Sequence, residues 1–178
     1  MEIDAQTAAA LGWPKAKYAW VERERRWLCA EVPWPLVAAT EAITDLYVTG
    51  TRLRLREAIP ADGGAPMRRL SRKGDVSSAV RLLTSIYLAP EEFALLSSLP
   101  GRRLMKTRHR LKPMPGAAHL SVDVFEGPLA GLIMAEAEFD DMASLEAFAT
   151  LDFAVREVTD DGRYSGGALA ISGLPEGG

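Results

Sequence analysis

Arg52-Leu53-Arg54-Leu55-Arg56 alternates a cation with a leucine at every step. Side chains point to opposite faces of a strand in turn, so residues two apart share a face. The stretch therefore predicts a strand over 52–58 with one charged and one apolar face. The same register recurs elsewhere. Glu22, Glu24 and Arg26 share a face of a strand predicted over 17–28. Lys106, Arg108 and Arg110 share one over 104–111, and Glu136 and Glu138 share one over 132–139. For any single strand, an open antiparallel sheet with its charged face in water is a sufficient account. Taken together, the charges are sorted by sign: acids pair on two strands and cations group on two others. A closed barrel with its apolar face outward, covered by helices, gathers all of them inside. There carboxylates suit a hard cation and guanidinium groups suit phosphate oxygens.

The remaining elements follow from local signals. Residues 44–48 form a short strand closed by the turn Thr49-Gly50. Pro60, Gly63, Gly64 and Pro66 mark a loop before a hairpin partner over 67–73, and 80–88 is a further, more apolar strand. Pro90-Glu91-Glu92 opens a helix that runs towards Pro100-Gly101, with proline in the first turn and acids at the positive end of the dipole. A strand over 119–125 pairs with 132–139 across Gly127-Pro128. Asp141 precedes Met142, Leu145 and Phe148 at helical spacing, which predicts a second helix. Thr159-Asp160-Asp161 offers a cap for a short closing helix. Residues 1–16 read as a loosely held lead-in and 172–178 as a tail, around a single domain spanning 1–178. Trp13, Trp20, Trp27 and Trp34 are spaced by seven, but Pro14, Pro33 and Pro35 break any helix there, so the spacing carries no heptad.

Composition narrows the function classes. A net charge of −3 over 178 residues gives no global basic field for duplex nucleic acid. One cysteine, Cys29, allows no internal disulfide, and with only His109 and His119 there is no zinc cluster. The acidic, alanine-rich start shows no signal peptide, and no apolar run is long enough to span a membrane, so the expectation is a cytoplasmic protein.

The charged strands, in their order, resemble those of the CYTH family, the triphosphate tunnel metalloenzymes. Glu22-Arg23-Glu24-Arg25-Arg26 resembles the family's opening Glu-x-Glu-x-Lys, and Ile43-Thr44-Asp45-Leu46-Tyr47-Val48 its second strand with a tyrosine. Arg54-Leu55-Arg56 resembles Arg-x-Arg, Ser71-Arg72-Lys73 resembles Thr-x-Lys, and Lys106-Thr107-Arg108 is similar to Lys-x-Arg. Asp123-Val124-Phe125, Glu136-Ala137-Glu138-Phe139 and the stretch from Glu157 to Tyr164 continue the series. The resemblance covers about Tyr18 to Ala170 and implies an α+β fold, an antiparallel β-barrel (the triphosphate tunnel) with flanking helices.

The resemblance also implies roles. Arg54, Arg56, Lys73, Lys106 and Arg108 would bind phosphates, and Glu22, Glu24, Glu136 and Glu138 would hold Mg2+ or Mn2+. Asp123 and Glu157 would complete the polar lining. Tyr47 would sit near the reacting phosphate, and Arg26 would take the signature lysine's catalytic place. Arg52 and Arg110 are read as rim or surface charges. The implied activity is metal-dependent hydrolysis of inorganic triphosphate or a related small triphosphate. A class IV adenylate cyclase-like enzyme and a non-catalytic binder of triphosphate or polyphosphate are the alternatives. A homodimer is consistent with the family.

Three departures bear on metal occupancy and competence. Arg26 replaces the lysine, Arg81-Leu82-Leu83-Thr84-Ser85-Ile86 lacks the acids usual in that strand, and Arg163-Tyr164-Ser165-Gly166-Gly167 lacks a closing asparagine. Arginine stays protonated where a lysine can shift its pKa, so Arg26 implies slower turnover or an altered substrate preference.

Overall fold

A computed structural model describes residues 3–176. Nine strands form: β1 (Trp20–Cys29), β2 (Val37–Val48), β3 (Leu53–Pro60), β4 (Met67–Asp75), β5 (Val80–Tyr87), β6 (Gly101–Leu111), β7 (His119–Phe125), β8 (Ile133–Glu138) and β9 (Ala154–Glu157). All pairings are antiparallel, in the order β5-β4-β3-β2-β6-β7-β8-β1-β9. A further pairing of β5 with β1 joins the ends and closes eight strands into a barrel. One edge of β1 serves two partners, with Trp20–Arg23 pairing β5 and Trp27–Cys29 pairing β9. β9 therefore lies outside the closed barrel.

Strand alternation sorts the side chains as the sequence predicts. Leu46, Val48 and Leu55 point outward under α2 (Pro90–Leu96), packing with Phe93 and Leu96. Trp27, Leu120, Val122, Ala135 and Ala137 form a second outer cluster with Leu145 of α3 (Met142–Ala147). Asp141 caps α3 by accepting from Ser144 N at 2.7 Å, and Ala89 N donates to Glu92 at 2.8 Å at the start of α2. Among the four tryptophans, Trp13 and Trp27 are buried while Trp20 and Trp34 are exposed, a pattern of no single helical face.

Three local expectations change. The lead-in is not loose: α1 (Ala5–Ala10) is capped by Asp4, and Ala8 and Trp13 pack against Leu82. Trp13 Nε1 donates to Thr84 at 2.7 Å, and the Arg72 guanidinium lies 4.2 Å above its ring. Alanine-rich sequence gives no periodic signal, so this satellite core was hidden. β2 begins at Val37 rather than Thr44, because a full-length pairing with β6 overrides the weak β-propensity of its alanines. At the C-terminal end, Asp161 caps only a 3₁₀ turn (Gly162–Tyr164), and Ser165 caps α4 (Gly166–Ser172). The tail residues 177–178 and lead-in residues 1–2 lie outside the described residues. Among the described residues no helix is long and apolar enough to cross a membrane.

Candidate active site

The barrel interior has two zones. Leu28, Leu104, Phe125 and Met134 point inward at one end and pack with Tyr164 and Leu169 of the α4 region, making an apolar plug. Successive inward positions on the same strands are charged: Glu22, Glu24 and Arg26 on β1, Lys106 and Arg108 on β6, Glu136 and Glu138 on β8. Together with Arg54 and Arg56 of β3, Lys73 of β4 and Tyr47 of β2, they line one cavity of about 540 Å³. Its rim includes Thr49-Gly50-Thr51 and Ser165-Gly166-Gly167. A second hollow, about 770 Å³, lies between α3 and the 114–116 loop, and among the described residues Asp152 is its sole charged lining residue. Chemistry on a charged substrate belongs to the tunnel.

Eleven of the residues singled out from the sequence meet in that cavity. Asp123 stands behind it, fully buried, accepting from Arg108 Nε and Nη2 at 2.7 Å each and from Lys106. Glu157 does not belong to the lining. It sits on β9, outside the barrel, where Arg25 grips it with two hydrogen bonds of 2.8 and 2.7 Å. Because β9 pairs on the outer run of β1, its residue parity does not report on the interior. Arg52 stands at the rim of the cavity and donates to Leu11 O at 3.1 Å, whereas Arg110 lies outside it and pairs with Glu41 at 2.9 Å.

Three functional-looking residues were missed. Asp45 is 1% exposed and receives Arg56 in a bidentate fork at 2.7 and 2.6 Å, with Arg54 Nε at 3.8 Å. Burial alone would raise its carboxyl, but Arg56 and then Arg54 outweigh that and hold it far below the usual range. Arg69 faces the cavity with its Nε buried and unpartnered among the described residues. Burial and then the neighbouring Arg56 and Arg54 pull its pKa down to about 10. Arg81 enters from β5 and pairs with Glu24 and with Asp75, the latter at 2.8 Å. Two follow the parity of neighbours already recognised, Asp45 being two from Tyr47 and Arg69 four from Lys73, whereas Arg81 comes to face Glu22 only through the register of β5 on β1.

Arg26 is 2% exposed, and its Nη2 donates to Ser78 O at 3.4 Å and Thr159 O at 3.2 Å. It bridges the gap along β1 between the end of the β5 pairing and the start of the β9 pairing. Tyr47 lies under α4, and burial, then Asp45, raises its phenol.

The carboxylates differ in state. Burial pushes Glu22 up, but Lys73 at 2.6 Å, with Arg81 and Arg54, brings it below the ordinary value. Burial likewise acts on Glu136, and Lys106 and Arg108 overcome it strongly. Glu138 goes the other way: burial and then Glu22, with Glu136 and Glu24, raise it against the opposing pull of Arg108, and among the described residues its side chain makes no ion pair.

No protein-family model matches the chain. An inorganic triphosphatase of Nitrosomonas europaea is 32% identical over 155 residues, covering 85% of this chain and 97% of the relative. The chain belongs to the CYTH family of triphosphate tunnel proteins. The crystal structure of the inorganic triphosphatase NE1496 superposes on this CYTH chain with a TM-score of 0.57 at 28% identity, covering 86% of the chain and 96% of the neighbour. A conserved hypothetical protein of Pyrococcus furiosus, 15% identical with a TM-score of 0.50 over 71% of this CYTH chain and 83% of its own, shares the fold alone.

Proposed function

We propose that this chain is an inorganic triphosphatase, splitting tripolyphosphate into phosphate and pyrophosphate, and that residues 1–178 act as one CYTH unit. One observation carries the reading: among the described residues ten basic and five acidic side chains line the tunnel. Even with Asp45 and Asp123 behind them, the cations are in excess, and buried like charges that are not offset repel one another. A compact polyanion supplies the missing charge. Tyr47 is the sole aromatic among the described lining residues, and it is packed beneath α4, so among them no free aromatic ring faces the cavity to stack a purine. That favours an inorganic phosphate chain over the cyclase alternative.

The carboxylate side fits a divalent cation. Glu22, Glu136 and Glu138 offer hard carboxylate oxygens, and Glu138 and Glu136 lie two apart on one face of β8. Among the described residues no three acids are already drawn into a ligand set. Repulsion from neighbouring carboxylates at Glu138 is the charge pattern a cation relieves. Mg2+ or Mn2+, when bound, would neutralise phosphate oxygens and lower the pKa of a bound water.

This chain's own groups do the remaining work. Arg54, Arg56 and Arg69 take non-bridging phosphate oxygens and stabilise the charge that builds on the departing pyrophosphate. Lys106 and Arg108, aligned by Asp123, fix the chain's other end. Water attacks the terminal phosphorus as its bond to the bridging oxygen breaks. Arg26, tied to Ser78 and Thr159, holds the wall rather than handling protons. A cytoplasmic setting and a homodimer belong to the same proposal.

The test is phosphate release from tripolyphosphate, ATP and thiamine triphosphate, each with Mg2+ and with Mn2+. Rapid release from tripolyphosphate alone is expected. Tight binding without release would leave a binder, and preference for ATP would overturn the inorganic substrate.

A further inference from the structure

The two β1 carboxylates are not equivalent. Glu24 Oε1 faces two guanidinium groups, Arg81 Nη1 in direct contact and Arg26 Nε at 3.6 Å. Both are anchored elsewhere. Arg81 Nε is fixed on Asp75 at 2.8 Å, and Arg26 Nη2 on the carbonyls of Ser78 and Thr159. Glu24 and Arg81 are each 8% or less exposed, so the pair is shielded from water. Glu22 is held differently: its main partner is the ammonium of Lys73, a flexible group, with Arg81 at 4.0 Å. Glu136 shares Arg108 with Asp123, whose fork at 2.7 Å keeps that guanidinium in place if Glu136 departs. Glu138 stands opposite Glu24 in register and, among the described residues, makes no ion pair.

We propose that Arg81 is a resident cation, lying beside Glu24 where a second metal ion would otherwise draw on the β1 acids, so that the tunnel has one divalent-ion site built on Glu138 with Glu22 and Glu136. The physical reason is charge. A carboxylate already neutralised by two guanidiniums has little to offer a cation, and because Asp75 and the carbonyls of Ser78 and Thr159 hold those guanidiniums in place, an ion could reach Glu24 only against two fixed positive charges. Glu138 is the reverse, an acid among acids. Arg81 thereby does permanently, from the protein, part of the neutralising work that a bound ion does reversibly. It is a positioning residue, acting through Glu24.

The inference rests on the reading that the tunnel takes a divalent cation, but not on turnover. Binding of Mn2+ alone to the full chain, followed by calorimetry and by the electron-spin signal of free Mn2+, tests it. The wild type is expected to bind one ion per chain. Glu138→Gln should weaken that binding by about tenfold or more, and Glu24→Gln should leave it within about twofold. Arg81→Gln should admit a second ion. Should Glu24→Gln fail to fold, Glu24→Gln/Arg81→Gln removes the pair as a unit and should still bind one ion. Two ions on the wild type, none at all, or equal losses in Glu24→Gln and Glu138→Gln would overturn the proposal. Absence of phosphate release beside single-ion binding would instead sink the hydrolase reading and leave this one standing.

Discussion

The Tyr47 hydroxyl occupies the space that a Cβ on residue 166 would need: a methyl built on Gly166 would overlap its oxygen and lie 3.2 Å from its Cζ. The N-terminal turn of α4 can close the tunnel end over the tyrosine because that residue has no side chain. Gly166→Ala should therefore lower the melting temperature or push Tyr47 out of place. Tyr47→Phe, which removes the oxygen, should recover much of the loss in the double variant. Gly167→Ala is the control, since its Cβ meets Tyr47 only at 3.8 Å. Equal melting temperatures for all three single variants would refute the steric account.

Asp45 is the buried counter-ion of Arg56 and Arg54. Breaking a buried ion pair costs about 3–5 kcal/mol, which for a chain of this size lowers the melting temperature by about 10 °C. Asp45→Asn should show that loss, and added tripolyphosphate should raise its melting temperature more than the wild type's, because the anion replaces the missing charge. The pH dependence has a fixed sign. A carboxylate held below its ordinary value stabilises the fold above that value and loses its contribution as pH falls through the folded one. The gap between wild type and variant should be full at neutral pH and narrow only in strong acid. A gap that widens on acidification would contradict this.

Arg69 should separate stability from binding. Its removal relieves repulsion with Arg56 and Arg54, so Arg69→Met should melt higher than the wild type without ligand. It should also bind tripolyphosphate about tenfold or more weakly, a charge-assisted hydrogen bond contributing roughly 1.5–3 kcal/mol. Calorimetric titration alongside thermal melts reads both. Unchanged affinity would remove Arg69 from the phosphate site.

Glu157 provides the opposite case. On the outer face with Arg25, it should matter for packing and not for substrate. Glu157→Gln is expected to leave tripolyphosphate affinity within about twofold and to cost no more than about 1 kcal/mol of stability, as partly exposed ion pairs do. A large loss of affinity would return Glu157 to the tunnel.

What the sequence settled by itself was the sorting of faces. A strand's period of two is local geometry, so Arg54 and Arg56, Glu22 and Glu24, and Glu136 and Glu138 were bound to share faces wherever their strands went. Their order along the chain carried the resemblance to the CYTH family. Parity also contained Arg69 and Asp45, but it could not say which partner each would meet. Tertiary structure alone decided that Arg81 would fall on Glu24, that Arg26 would span to Ser78 and Thr159, and that β9 would carry Glu157 outside. Those outcomes depend on which strands pair and in what register, and pairing joins residues more than a hundred positions apart, as Arg26 and Thr159 are. Alternation fixes the face of a side chain. Only barrel closure fixes its neighbours, and the neighbours determine whether a buried charge is a ligand, a counter-ion or a clasp.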